Sequence, residues 1–376
     1  MLAALISILV LGLLVIVHEL GHLLVARASG VRILCFSIGF GPRLMTWRRG
    51  HTEYAVSAIP LGGYVKMAGE QRGEPRHGSA QAPSDPERSG QAGEPWEYLS
   101  KPVRTRAGII IAGPLVNYLT AFISLWVVFV IGYPELLPEV GKVLEATPAQ
   151  AAGVQVGDRI RAIADHPVES WEDLTKQIYA SPNQPLTFRI ERGAASRIVT
   201  ITPQPKTLTD PLGHVKTIGL IGIGPSGAFR SARVGPIAAI GRTLAQQREW
   251  LSQTMRSFWS LATGRISMRD SVTGPIGIIY LTSEAVRMGL APLLFLVSLL
   301  SLSLAIFNLF PIPILDGGHL LFLIIEQLRG RPLSLNVQER SVQISFVLLV
   351  TLVAVVCFND LSRFGFFEKV LGWMNR

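Results

Sequence analysis

Apolar residues in this chain run on rather than alternate. Four stretches are long and continuous enough to cross a bilayer as helix, which takes ~20 residues. They lie at about Leu2 to Ala26, Ala107 to Gly132, Met288 to Leu315 and Ser341 to Phe358. The second and third contain no charged residue. The third continues past Pro311 and Pro313 into "DGGHLLFLII". It is read as one membrane element over 288–328, broken where two prolines remove helical hydrogen bonds. The first has no basic leader, and His18, Glu19 and His22 interrupt its second half. That pattern predicts a retained helix over 1–28, not a cleaved signal.

Between these runs the pattern changes. Residues 36–67 alternate apolar and polar positions around turns ("FSIGFGPRLMTW", "RRGH", "TEYAVSAIPLGGYVKM"), which predicts a β-hairpin region over 29–70. Residues 71–100 are rich in Gly, Pro, Ser and charge, the composition of a flexible loop. After the second helix, 101–132, a compact α+β domain is expected over 133–206. It has a short helix near Pro148–Ala152, a turn at Gly157-Asp158 and a strand at Arg159–Ile163. A helix at Ser170–Ile178 and a closing hairpin complete it. Residues 207–287 read as a linker with an amphipathic helix over Ser226 to Thr263. That helix carries Trp250, Phe258 and Trp259 and suits a membrane surface. The last span is placed at 338–360.

Composition and charge add sidedness. Of 376 residues, 49% are hydrophobic and only 16% charged, below the ~25% of an ordinary soluble domain. The net charge of +9 does not point to nucleic acid, because no basic helix with interleaved aromatics occurs. The basic residues instead mark loops. Twelve lysines and arginines lie from Arg27 to Arg106, and none precedes them. Arg329, Arg331 and Arg340 lie between the third and fourth spans. Both loops are therefore expected on the cytoplasmic side, with 133–287 outside. The two cysteines, Cys35 and Cys357, offer neither a disulfide framework nor a Cys-x-x-Cys site.

Charged and polar side chains inside an apolar span are expensive and default to a functional reading. His18 and His22, at i and i+4, share one helical face, and Glu19 stands beside them. This H-E-x-x-H spacing suits two zinc ligands and a glutamate that takes a proton from water. A catalytic zinc needs a third protein ligand. Asp316 is the only acidic residue in "FNLFPIPILDGGHLL", where the third stretch ends. It is the leading candidate, with helix N-capping as its alternative role and His319 as a rival ligand. Asn308 could donate to an oxyanion or satisfy backbone freed by the prolines. Broken backbone at membrane depth is tolerated where protein or a water-filled cavity receives it.

Several separated motifs then resemble one family: "HELGH" at 18–22, "IGFGP" at 38–42, "IPLGGYVKM" at 59–67, "AGPLVNYLTAF" at 112–122, "GPIGI" at 274–278 and "NLFPIPILDGGH" at 308–319. The chain resembles the site-2 proteases, intramembrane zinc metalloproteases. It is most similar to the bacterial type that acts on anti-sigma factors, the regulator-of-sigma-E proteases. The resemblance implies a polytopic α-helical membrane protein of about four transmembrane helices. It implies a cytoplasmic-side β-hairpin region and one inserted periplasmic α+β PDZ domain, in a bacterial inner membrane. It implies Zn2+ held by His18, His22 and Asp316, with Glu19 as general base and Asn308 assisting. Gly62, Gly63 and Tyr64, with Pro311 and Pro313, would bind an unwound substrate strand. Gly113, Pro114 and Asn117 are read as tight helix packing near the site. The implied partners are the lipid bilayer, single-span substrates of the anti-sigma type or remnant signal peptides, and an upstream periplasmic protease. The best-known enterobacterial member carries tandem PDZ domains, whereas one copy is legible here. Competing readings are a remnant signal peptide peptidase using the same site, a non-catalytic PDZ membrane scaffold, and a transporter. The intact His18, Glu19, His22 and Asp316 set argues against the scaffold. The lack of repeated halves argues against the transporter.

Overall fold

A computed structural model describes residues 2–70, 94–209, 215–265 and 274–363. Most of the Gly/Pro/Ser-rich loop, 71–93, lies outside the described residues. The chain divides into two compact units, Met1–Leu125 with Thr273–Arg376, and Trp126–Val272.

The first unit begins with helix α1, Leu2–Ala28. Strands β1, Ile33–Arg49, and β2, Thr52–Met67, follow as an antiparallel pair. A 3-10 turn at Tyr98–Ser100 leads into α2, Val103–Ile131. Among the described residues, four stretches are long and apolar enough to span a membrane: Leu5–Ala28, Val103–Ile131, Leu290–Asn308 and Leu335–Leu361. Their large exposed apolar side chains, Leu13, Leu24, Ile123, Phe346 and Val347 among them, have no place in water. They fit a polytopic membrane protein whose solvent there is lipid.

The β1–β2 pair is more than a hairpin. Phe36, Ser37 and Ile38 pair on both sides: with Tyr54, Ala55 and Val56 on one, and with Val65, Tyr64 and Gly63 on the other. The first part of β1 is therefore an inner strand, and 63–67 forms an edge among the described residues. Gly39 makes the bend that allows this. Its φ of 90° suits glycine, and a Cβ there would stand 2.7 Å from the carbonyl of Ile59.

Small residues let the helices approach. A Cβ on Gly21 of α1 would collide with the carbonyl of Ala112 and stand 3.0 Å from Cα of Gly113 on α2, the close contact that glycine permits between spans. A cluster of Leu23, Ala26, Ile33, Phe36, Ile109, Ile110 and Leu323 fills the space beneath.

The third apolar stretch is two helices of the first unit, α7 (Leu290–Asn308) and α8 (Asp316–Arg329). A further helix, α6, Pro275–Met288, precedes them. It was not anticipated, because "PIGIIYLTSEAVRM" has no terminal polar cap of its own. The cap comes from far away: Asp360 accepts from the backbone N–H groups of Gly274 and Gly277 at 3.2 and 3.0 Å. Asp360 is buried on the last helix, α9, Leu335–Arg363. Ser298 and Ser301 of α7 donate to the carbonyls of Ala121 and Asn117 on α2. Arg106 at the start of α2 grips Glu326 of α8 through two bonds, 3.1 and 2.5 Å.

The second unit is an α+β body. Its largest sheet orders β6 (His166–Pro167), β5 (Arg159–Ile163), β7 (Leu186–Arg192) and β8 (Ala195–Ile201) side by side. Ser170 and Asp173 close a capping box on the helix Trp171–Ala180, called α4 after the short α3 at Pro148–Ala151; this satisfies two otherwise free N–H groups. Val140, Ile160, Ile163, Leu174, Phe188 and Ile190 form the core, and Ile221 joins them. The packed body therefore extends past residue 206. Strands β9 (Gln204–Thr209) and β10 (Val215–Leu220) pair with each other. Strand β11 (Ile223–Pro225) returns to β4 (Val140–Val143). The helix expected from Ser226 starts later, as α5, Pro236–Ala262. The reason is backbone pairing: Phe229–Ala232, strand β12, is held against β3, Tyr133–Leu136. Along α5, Ile237, Ile240, Leu244, Leu251, Met255 and Trp259 are exposed on one face, at the spacing of an amphipathic helix.

Asp158 anchors the second unit. Its buried carboxylate accepts two bonds from Arg192, at 2.7 and 2.9 Å, and one from the N–H of Gln155. Burial alone would raise its pKa, but the Arg192 guanidinium and the Gln155 N–H outweigh burial and hold the carboxyl below its usual range. A depressed carboxylate stabilises the fold above its unfolded value of ~3.9, and the gain is lost as pH falls through the lower folded value. Asp158→Asn is expected to cost about 1–3 kcal/mol at neutral pH. Hydrogen exchange of β5 and β7 in the intact protein would read this as about tenfold or faster opening. The deficit should shrink below pH ~4. An equal deficit at pH 7 and pH 3 would show that charge is not the cause.

Candidate metal centre

His18, Glu19 and His22 lie about four to six turns into the apolar helix α1, which ends at Ala28. Both histidines are buried, and their rings meet edge to face with centroids 4.8 Å apart. Asp316 reaches them from α8. Pro311 and Pro313 end α7, and the chain over 309–315 folds back on the first turn of α8. A Cβ on Gly317 or Gly318 would collide with the carbonyls of Leu309, Phe310 or Ile312. Asp316 is the first helical residue; Leu315 occupies the N-cap.

Oδ2 of Asp316 stands 3.0 Å from Nε2 of His18 and 3.5 Å from Nε2 of His22. The two Nε2 atoms are 3.2 Å apart. Ligand atoms of the three residues all lie within 4.8 Å of one another. Despite these approaches, buried Oδ2 has no hydrogen-bond partner. Two imidazole nitrogens and a carboxylate oxygen that lacks a hydrogen-bond partner converge here, which is costly in a buried site. A divalent cation resolves that cost, and two imidazoles with one carboxylate are a donor set for catalytic zinc. The residues present therefore fit Zn2+. Among the described residues, these three form the group whose ligand atoms converge in this way. His319, the rival ligand, is not part of it; its ring packs on Phe322.

The outer nitrogens are held by α2. Nδ1 of His22 lies 2.8 Å from the carbonyl of Ile109. Nδ1 of His18 lies 3.2 Å from Nδ2 of Asn117. Asn117 is fully buried, and its Oδ1 has no partner. Gly113 sits between these two positions. A Cβ there would collide with Nε2 of His22 and stand 2.7 Å from Cε1 of His18.

Glu19 meets the edge strand. Its carboxylate lies near the backbone N–H of Val65, and a Cβ on Gly63 would stand 3.7 Å from its Cγ. Asn308, the last residue of α7, puts Nδ2 3.4 Å from Nε2 of His18. Gly62 abuts the ring of Phe40, and Tyr64 stacks on that ring. Pro311 and Pro313 shape the loop before Asp316 and have no recorded bond to the ligands. Sequence reasoning did not count Ile109 or Asn117 among the site residues. Asn117 had a signal, a primary amide in an uncharged span. Ile109 had none, since every residue owns a carbonyl.

The model of peptidase family M50 matches residues 6–352. A Rhizobium meliloti relative is 37% identical over 94% of each chain. Zinc metalloprotease RasP of Geobacillus kaustophilus is 31% identical, over 95% of this chain and 97% of its own. The regulator of sigma E protease of Salmonella typhi is also 31% identical, with the same coverage. That last alignment runs over 460 positions, against 376 residues here, so the Salmonella protein carries a stretch this chain lacks. The chain belongs to peptidase family M50 and is a zinc metalloprotease of the site-2 type.

Proposed function

We propose that this protease cuts within the transmembrane segment of single-span membrane proteins of the anti-sigma type, at a bacterial inner membrane. The observation that carries this reading is a three-ligand cluster on an apolar span beside the edge strand 63–67. A helical peptide bond is shielded by its own hydrogen bonds. An edge strand offers replacement bonds to an unwound segment, and this edge runs past Glu19.

His18, His22 and Asp316 would hold Zn2+, which supplies a Lewis acid for the scissile carbonyl and acidifies a water. Glu19 takes the proton from the attacking water and returns it to the leaving amine. Asn308 donates to the oxygen that gains charge. Gly63, having no side chain, keeps room beside Glu19 for the substrate backbone. Pro311 and Pro313 hold the extended loop that brings Asp316 in.

The second unit is read as a PDZ domain on the periplasmic side, with the β-sheet region cytoplasmic; the run of basic residues from Arg27 to Arg106 supports that orientation. The exposed apolar face of α5 suits contact with the outer membrane surface. The PDZ domain would keep out substrates with bulky outside domains until a periplasmic protease trims them. Deleting it should let untrimmed substrate be cut; continued protection would remove the filter role.

The direct test co-expresses the chain with a tagged single-span anti-sigma protein, trimmed or untrimmed outside the membrane. One cut inside the apolar span of the trimmed form, stopped by a zinc chelator and restored by zinc, is expected. A cut outside the span, or none, would overturn the substrate class.

A further inference from the structure

Ile109, Gly113 and Asn117 are spaced four apart on α2 and so share one face. All three meet the histidines of α1. The Ile109 carbonyl takes Nδ1 of His22, Gly113 leaves room for both rings, and the amide of Asn117 faces Nδ1 of His18. On the ligand reading above, each Nε2 offers a lone pair to zinc, so each Nδ1 carries the proton. A buried Nδ1–H needs an acceptor, and a metal-ligating histidine takes its orientation and tautomer from that bond. His22 has its acceptor in the Ile109 carbonyl. For His18, the group that faces Nδ1 is the Asn117 amide, whose buried Oδ1 lacks a partner and would reach Nδ1 if the amide were turned over.

We propose that α2 is a template for both imidazoles, and that Asn117 is the positioning residue for His18, turned so that its carbonyl oxygen accepts Nδ1–H. A half-turn of the amide exchanges Oδ1 and Nδ2 nearly in place. It gives His18 its acceptor and the orphaned oxygen its donor. In the opposite orientation, Nδ2–H donates to a bare Nδ1. The ring proton then sits on Nε2, aimed at Asp316, and that tautomer cannot ligate. The amide thus selects the metal-competent form of His18. Ser301 of α7 donates to the backbone carbonyl of Asn117 at 2.8 Å, which holds the residue without involving its amide. The inference rests on His18 and His22 being ligands, and its test separates the two.

The test uses full-length protein in detergent and measures zinc affinity by chelator competition, together with the visible spectrum of the cobalt-loaded form. Asn117→Leu keeps bulk but has no acceptor; it should weaken zinc about 10- to 100-fold and shift the cobalt bands. Asn117→Asp, an obligate acceptor, should stay within a few-fold of wild type. Ser301→Ala, which loses only the helix tie, should bind zinc normally. Wild-type affinity in Asn117→Leu overturns the proposal, as does equal weakening in all three folded variants. His18→Ala is the control on the ligand reading: zinc binding unchanged there would overturn that reading itself. Zinc lost in His18→Ala but kept in Asn117→Leu would overturn the template alone. Nitrogen-15 spectra of histidine-labelled wild type need no variant; Nδ1–H at His18 is expected, and zinc on Nδ1 overturns the proposal.

Discussion

Glu19→Gln protein is expected to bind zinc as tightly as wild type and to cleave trimmed substrate about a hundred- to ten-thousand-fold more slowly. Glutamine has the size of glutamate, and its carbonyl oxygen can still accept from the N–H of Val65. What it lacks is the ability to take a proton. Glu19 stands outside the converging set of His18, His22 and Asp316, so its replacement leaves the ligands intact. Turnover and bound zinc, measured on the same preparation, distinguish base from ligand. Turnover near the wild-type rate would remove Glu19 as the base.

Gly113→Ala should bind zinc much more weakly. One methyl group would collide with Nε2 of His22 and stand 2.6 and 2.7 Å from Cε1 of His22 and His18. Neither ring has a flexible end that can swing away, since Ile109 and Asn117 hold the outer nitrogens. Nor can the helices part freely, because Gly21 rests on Ala112 and Gly113. Overpacking of this kind costs about 1–3 kcal/mol, and the site can escape it only by turning the imidazoles from each other. The expected result is folded protein with zinc affinity down about a hundredfold, the upper end of what one lost hydrogen bond to a ligand costs. Wild-type zinc affinity in folded Gly113→Ala would mean that the rings do not meet α2 as described.

The spans were readable because lipid imposes one demand, a long run without charge. His18, Glu19 and His22 stood out against that background, and so did Asp316, the first acid past two prolines. The compact α+β region was readable too: Ser170 before an acidic first turn and the Gly157-Asp158 turn are local signals. Long-range pairings carried no such mark. Nothing in "FSIGF" says that its residues pair on both sides, or that Phe229–Ala232 must join Tyr133–Leu136. The start of α6 looks uncapped until Asp360 is found beside it. The carbonyl of Ile109 is the extreme case, a contribution of backbone that side-chain identity does not encode.

The Asp360 cap bears on how the protein is made. Synthesis runs from the N-terminus, and all three candidate ligands have emerged once residue 316 is out. Gly274 and Gly277, by contrast, wait for a carboxylate some 86 residues beyond Gly274. A chain interrupted before Asp360 would hold every residue proposed to act in hydrolysis and yet leave the start of α6 uncapped. The difference between a chain that has reached Asp360 and one that has not is therefore written at α6, and not at the metal ligands.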